Sequence, residues 1–264
     1  MTASTSPGLR WFFGVSAGLA VIAGIELFVA AADTDRFFSW TIDPPLTAAF
    51  MGAAYWAACV LLAWAACQPD WTRARTALPP VFTIALLLLT ATLIHLDRFH
   101  HDLYGRFWLV VYVIVVPLLA YLIWAQMRDS GPAPPAARPM DGWLRVALCG
   151  QAAVLVVFGV LLFAAPVAMH SIWPWPLSPL TGRAIGAFLC GFGVAAAFAV
   201  RENDLERLYG SALAWAALGG LELLAVGLHA DDLAASGLAT ALYVAFLASM
   251  LALGAYGALS SRRG

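Results

Sequence analysis

Long apolar runs alternate with short polar segments along the whole chain. Each run is about 20 residues long, the length that an α-helix needs to cross a bilayer. Backbone groups inside lipid must bond within their own segment, so these runs are typical of helices. The pattern predicts an all-α polytopic membrane protein with eight transmembrane helices, at Trp11–Ala31, Leu46–Cys67, Ala77–His95, Phe107–Gln126, Trp143–Ala165, Leu180–Val200, Tyr209–Leu228 and Gly237–Leu259.

The eight spans divide into two sets of four that match each other in order. An offset of 135 residues, which becomes 134 at the start of the second span, pairs Arg10 with Arg145, Gly24 with Gly159, Trp40 with Trp175, Pro44 with Pro179, Gly52 with Gly186, Asp70 with Asp204, Arg73 with Arg207, His95 with His229 and Asp97 with Asp231. Four spans per half bring both halves into the membrane in the same direction, which predicts tandem parallel repeats. We expect an N-terminal repeat at residues 1–126, a Pro/Gly linker at 127–142 and a C-terminal repeat at 143–264.

Composition agrees with a membrane location, and the arginines predict an orientation. The chain is 11% charged with a mean hydropathy of +0.84, and it contains no lysine. Ten arginines fall on one side of the predicted spans and only Arg36, Arg98, Arg106 and Arg183 on the other. By the positive-inside rule, both termini and the linker are cytoplasmic, in the inner (cytoplasmic) membrane of the cell. The first apolar run is long for a cleaved signal, so we expect it to remain as a span.

Two carboxylates lie inside predicted spans. Glu26 is in the first span and Glu222 in the seventh. A carboxyl group in hydrocarbon is costly and usually faces a partner, a cavity or the bundle interior. Arg183, early in the sixth span, is a candidate partner for either glutamate. By contrast, the charged segment 201–207 is predicted to be a solvated, salt-bridged connector.

Histidines and aspartates gather on the side opposite most arginines. His95 and His229 end equivalent spans, each followed by an aspartate, Asp97 or Asp231, and His100 and His101 lie in the next loop. Apposed histidines bind haem iron, copper or another transition metal, with carboxylates as further ligands. Alternatively, these residues only end helices at the water interface, where a histidine suits the helix dipole.

Three functions remain open from the sequence. The first is a transporter-like or channel-like protein for a small-molecule or ion ligand. Its site is expected on the outer half between the repeats, at Glu26, His95, Asp97, Arg183, Glu222, His229 and Asp231. The second is a membrane redox or metal enzyme that uses His95 and His229, and the third is an accessory subunit with a membrane-protein partner. No nucleotide-binding or hydrolase motif is present, so no catalytic residue is predicted. The lipid bilayer is a predicted partner in all three cases. A nucleic-acid partner is not expected, because the net charge is only −1.

Overall fold

The computed structural model describes residues 3–131, 134–233 and 237–262. Within these ranges, eight helices are long and apolar enough to cross a membrane, which confirms the predicted number of spans. They are α1 (Pro7–Gly24, continued by a π-helical turn at Ile25–Val29), α2 (Pro45–Ala66), α3 (Leu78–Ile94), α4 (Leu103–Asp129), α5 (Gly142–Ala164), α6 (Pro179–Glu202), α7 (Leu205–Leu228) and α8 (Gly237–Arg262).

The helices begin where the sequence supplies a cap or a proline. Pro7, Pro45 and Pro179 occupy first turns, where the missing N–H has no intrahelical partner. Helix α4 begins at Leu103, four residues before the predicted start of the span, because the carboxylate of the preceding Asp102 accepts a hydrogen bond from Gly105 N at 3.1 Å. Most helices therefore extend a few residues beyond the predicted apolar runs.

Helices α2 and α6 occupy the centre of the bundle. Most of their residues are buried, whereas α4 and α8 bury few residues and face outward. Helix α1 packs on α2 and α5 packs on α6, while α2 also contacts α7 and α6 contacts α3. The outer helices α4 and α8 lie against α3 and α7 respectively. The arrangement is that of a multi-pass membrane protein with its small-residue helices inside.

Buried ion pairs join the two halves at the end of the bundle that carries the linker. The Glu202 carboxylate accepts hydrogen bonds from Arg75 at 2.6 Å and from Arg207 at 2.8 Å. Arg207 also donates to the carbonyl of Pro134 in the linker at 2.7 Å. Asp204 accepts from Ala137 N, also at 2.7 Å.

The prediction that segment 201–207 is solvated is therefore wrong for the side chains of Glu202, Asp204 and Arg207. Arg207 and Asp204 are buried because the linker folds over them, and Glu202 lies beneath the two arginines. Asn203 adopts a left-handed conformation with φ of 48°, and its side chain accepts a hydrogen bond from Met140 N. Since asparagine tolerates this conformation better than most residues, the turn between α6 and α7 is locally favourable.

Candidate functional site

A cleft of about 160 Å³ lies inside the N-terminal half, among α1, α2, α3 and α4. Its mouth is between α1 and α4, where Ile22 and Phe107 line the cleft and are also more than half exposed. Phe188 of α6 is the contribution of the other half to its wall. Ile22 and Phe107 both belong to helices that are long and apolar enough to cross a membrane, so the opening would lie beside lipid in a bilayer.

Small side chains on α1 make room for the cleft. Ser16, Ala20 and Ala23 line one wall at the spacing of successive helical turns. The other walls are apolar and aromatic, and include Leu62, Val81, Ile84, Phe107, Trp108, Val111 and Val115. A surface of this kind accepts hydrocarbon.

Glu26 is the only charged residue among the described residues that line the cleft. It lies in the π-helical turn at Ile25–Val29, where Ala30 N bonds to Ile25 O at 3.3 Å, five residues back. Single π-helical turns frequently occur at functional sites. Its carboxylate forms no ion pair with any arginine that the structure describes.

Two buried tyrosines contribute neutral polar groups to the cleft wall. The hydroxyls of Tyr55 on α2 and Tyr112 on α4 lie 2.7 Å apart and bond to each other, and both residues line the cleft. One of the two hydroxyls donates to the other, which leaves one O–H free to bond elsewhere. This pair was not predicted from the sequence, although a tyrosine in the middle of an apolar span is itself a signal.

The segment between α1 and α2 is bonded to the segment that leads into α4, beside the Glu26 end of the cleft. Ser39 Oγ donates to Tyr104 O at 3.1 Å, and both residues line the cleft. The Nδ1 atom of His100 lies 3.1 Å from Phe38 O, and its Nε2 atom lies 3.2 Å from Thr41 Oγ1. The backbone N–H of His100 donates to Ser39 O. The ring of His100 therefore holds the two segments together.

The predicted metal ligands do not form a cluster in the described part of the chain. No group of three or more His, Cys, Asp or Glu side chains there has the arrangement of a metal site. His101 is exposed, and Asp97 is exposed and paired with its neighbour Arg98 at 3.3 Å.

Arg183 contacts His95 and forms an ion pair with neither glutamate. Its Nη1 donates to His95 Nε2 at 2.7 Å. The predicted pairing with Glu26 or Glu222 is therefore not found, because α6 packs against α3, and His95 follows directly after the last residue of α3, Ile94. His95 lies outside the spans, and its burial, followed by the nearby charge of Arg183, lowers its pKa below the ordinary value. A neutral imidazole is the form that accepts from arginine.

His229 and Asp231 lie at the corresponding end of α7. His229 is half-buried and Asp231 is exposed. The neighbouring Asp232, which the sequence analysis did not single out, accepts a hydrogen bond from Leu46 N at the start of α2, at 2.9 Å. The two histidines therefore lie beside different helices. His95 contacts Arg183 of α6, whereas His229 lies near Asp232, which bonds to the start of α2.

Glu222 is separate from the cleft. It is fully buried on α7, and Tyr243 OH donates to its Oε2 at 3.4 Å. No partner for Oε1 is found in the described ranges. The rings of Trp173, Trp175 and Tyr243 pack against one another, with centroids 5.1 to 6.0 Å apart. Glu26 and Glu222 therefore belong to different halves of the molecule.

Comparison with known proteins adds no further assignment. No family model, no curated protein and no solved structure matches this chain.

Proposed function

We propose that the protein consists of two parallel four-helix repeats and that its N-terminal repeat binds a small, largely apolar molecule taken from the bilayer, as a transporter-like protein does. The cleft beside Glu26 is the observation that carries the function. The repeat explains how one half frames the cleft and the other half supports it.

Helix contacts at corresponding positions support the repeat. A Cβ at Gly24 would meet the Trp56 ring, and a Cβ at Gly159 would meet Cys190. The offsets of 135 and 134 relate these pairs residue by residue. The same holds for Gly52 against Phe28 and Gly186 against Phe163. Equivalent glycines therefore allow equivalent close crossings of the first and second helices.

The segments that lead into each half support the repeat independently. Trp71 N donates to Ala3 O at 3.1 Å, and Leu205 N donates to Arg138 O at 2.9 Å. The same two offsets relate the donors and the acceptors. Together with the distribution of arginines, this favours parallel halves with both termini and the linker in the cytoplasm.

The shape and chemistry of the cleft favour a ligand that is mostly hydrocarbon. Its walls are apolar apart from Glu26, three tyrosines and two serines. Its mouth between α1 and α4 is open to lipid near Ile22 and Phe107. A polar solute would have to cross hydrocarbon to reach this opening, whereas a lipid-soluble molecule is already there.

The opposite end of the same helix pair is closed. Gln126 on α4 accepts a hydrogen bond from Ser6 N at 2.7 Å and donates to Ser4 O at 3.0 Å. Helices α1 and α4 are thus tied together at one end and separated by the cleft towards the other. A site that is open on one side only fits a carrier better than a continuous channel.

Filling the cleft tests the proposal. The residues that correspond to Ser16 and Ala23 in the second half are Gln151 and Phe158, so the double variant Ser16→Gln, Ala23→Phe introduces side chains that the fold already uses on the equivalent helix. In lipid nanodiscs, single-chain amphiphiles should raise the thermal unfolding temperature of the wild type, and the double variant should lose this increase.

Gly18→Phe is the matched control, because Gly18 is on the same helix and has open space around it. It should respond to amphiphiles as the wild type does. Equal responses of the wild type and the filled variant would rule out the cleft as the binding site.

A further inference from the structure

We propose that the ligand of the cleft is a single-chain amphiphile with one positive charge and that Glu26 is its counter-ion. This inference rests on the proposed function and adds the chemical class of the ligand. It starts from the observation that Glu26 carries the only carboxyl group on the described cleft wall, is partly buried, and forms no ion pair with an arginine in the described ranges.

The charge of the cleft selects against anions. No arginine lines the cleft among the described residues, and the chain has no lysine. Of the arginines at the Glu26 end, Arg36 and Arg98 are each paired with an aspartate, Asp33 and Asp97. Arg106 in the first turn of α4 is exposed and does not line the cleft. An anionic head group would therefore meet a carboxylate and no compensating charge, whereas a cation would neutralise Glu26 inside the membrane.

Aromatic rings surround the end of the cleft where Glu26 lies. Phe38, Tyr104, Phe107 and Trp108 come from the loop after α1 and from the first turns of α4, and all line the cleft. Ring faces attract ammonium groups, and the attraction grows when water is excluded. The free O–H of the tyrosine pair adds one hydrogen-bond donor but no positive charge.

The rest of the cleft fits one hydrocarbon chain. Its wall on α1 runs from Phe12 to Glu26, a distance of about 20 Å along a helix axis. Leu19, Leu62 and Val115 lie between these ends. A narrow apolar cleft with a single carboxylate at one end matches a long-chain amine or alkylammonium.

Three amphiphiles with the same chain and different head groups test the charge. Tetradecyltrimethylammonium, tetradecanol and the tetradecanoate anion are added to the protein in nanodiscs of neutral lipid, and apparent affinity is read from the concentration dependence of the unfolding temperature. We expect the ammonium to bind the wild type at least about tenfold more tightly than the alcohol, and the anion to bind most weakly.

Substitutions of Glu26 provide the matched comparison. Glu26→Gln should bind the ammonium and the alcohol equally, and Glu26→Asp should keep part of the preference. Glu222→Gln removes a buried carboxyl outside the cleft and should retain the full preference.

The outcomes separate the two proposals. If the alcohol stabilises the wild type as strongly as the ammonium, while the filled variant responds to neither, the cleft binds amphiphiles but the inferred charge is wrong. A preference that survives in Glu26→Gln also overturns the inference. If none of the three compounds stabilises the wild type, the proposed function fails and the inference fails with it.

Discussion

The third and fourth helices meet differently in the two halves. In the C-terminal half, a Cβ at Gly219 would lie 2.6 Å from Leu251 N, and a Cβ at Gly254 would lie 2.4 Å from Ala216 N. Helices α7 and α8 therefore touch through their backbones. In the N-terminal half, the offset of 134 places Ala85 and Ala120 at the two glycine positions, and α4 contacts α3 much less.

The first helix of each half also differs, in its contact with the fourth helix. In the C-terminal half, Gln151 on α5 donates to Ser249 Oγ on α8 at 3.1 Å. The corresponding residues in the N-terminal half are Ser16 and Val115, which do not reach each other and instead line the cleft. Shorter side chains on α1 and a wider separation of α3 from α4 thus open one half where the other is closed.

If the two halves are the proposed repeats, this comparison places the proposed site in one copy only. The central contacts correspond in the two halves, since α2 packs on α7 as α6 packs on α3, whereas the differences lie on α1, α3 and α4. The closed half contributes Phe188 to the cleft wall. Glu26 then adds a charge that the corresponding Leu161 lacks.

The largest predicted difference concerns two corresponding arginines. Arg207 is buried and bonds to Glu202 and the linker, whereas Arg73 is 44% exposed and pairs with Glu206. Arg207→Met should lower the free energy of unfolding by about 3–5 kcal/mol, because it leaves Glu202 and the linker carbonyls with fewer partners inside the protein. Arg73→Met should cost about 0–1 kcal/mol, as for an exposed pair.

Unfolding in mixed detergent micelles, followed by tryptophan fluorescence, measures both variants. The Glu202 carboxylate also bonds to Arg75, so Arg75→Met is a useful third variant with an intermediate cost. Equal costs for Arg207→Met and Arg73→Met would show that the two halves do not differ at this end.

The glycines of the α7–α8 seam give the next largest effect. Gly219→Ala or Gly254→Ala places a methyl group against backbone atoms that have no freedom to move aside. Each change should cost about 1–3 kcal/mol, as overpacking of a tight interface does. Gly220→Ala is the control on the same helix, since its Cβ would meet only Leu251 Cδ1 at 3.8 Å.

The same unfolding measurement applies, and the control should stay close to the wild type. Should Gly219→Ala be as stable as Gly220→Ala, the tight seam would not distinguish the closed half from the open one.

The spans were predictable from the sequence because they depend on local properties. Apolar length, first-turn prolines and capping residues all act within a few positions of the chain. Glu26 was also predictable as a candidate, since a carboxyl group in a span is unusual wherever the helix packs. Its location in a cleft within one half was not, because this depends on how far α4 lies from α1 and α3.

The remaining differences come from packing between distant segments. Arg183 bonds to His95 because α6 lies against α3, and no spacing along the chain indicates that neighbour. Tyr55 and Tyr112 meet because α2 and α4 both direct these side chains into the same interior space. Arg207 is buried because the linker covers it, although its charged neighbours are typical of a solvated turn.

The smallest predicted effect distinguishes the end of α3 at His95 from the end of α7 at His229. Folding keeps His95 neutral beside Arg183, with its pKa below the ordinary value, whereas the unfolded chain takes up a proton near pH 6.5. Below about pH 6.5 the unfolded state therefore binds more protons than the folded state, and stability falls until the pH passes the lowered pKa. His95 is partly exposed, so the loss should stay below about 1 kcal/mol.

Unfolding midpoints of the wild type and His95→Gln between about pH 8 and pH 5 measure this loss, because glutamine accepts from Arg183 without titrating. The variant should lose this part of the pH dependence, and the matched His229→Gln should keep it. A wild-type profile that His95→Gln leaves unchanged would mean that the Arg183–His95 bond does not set this end of the open half apart.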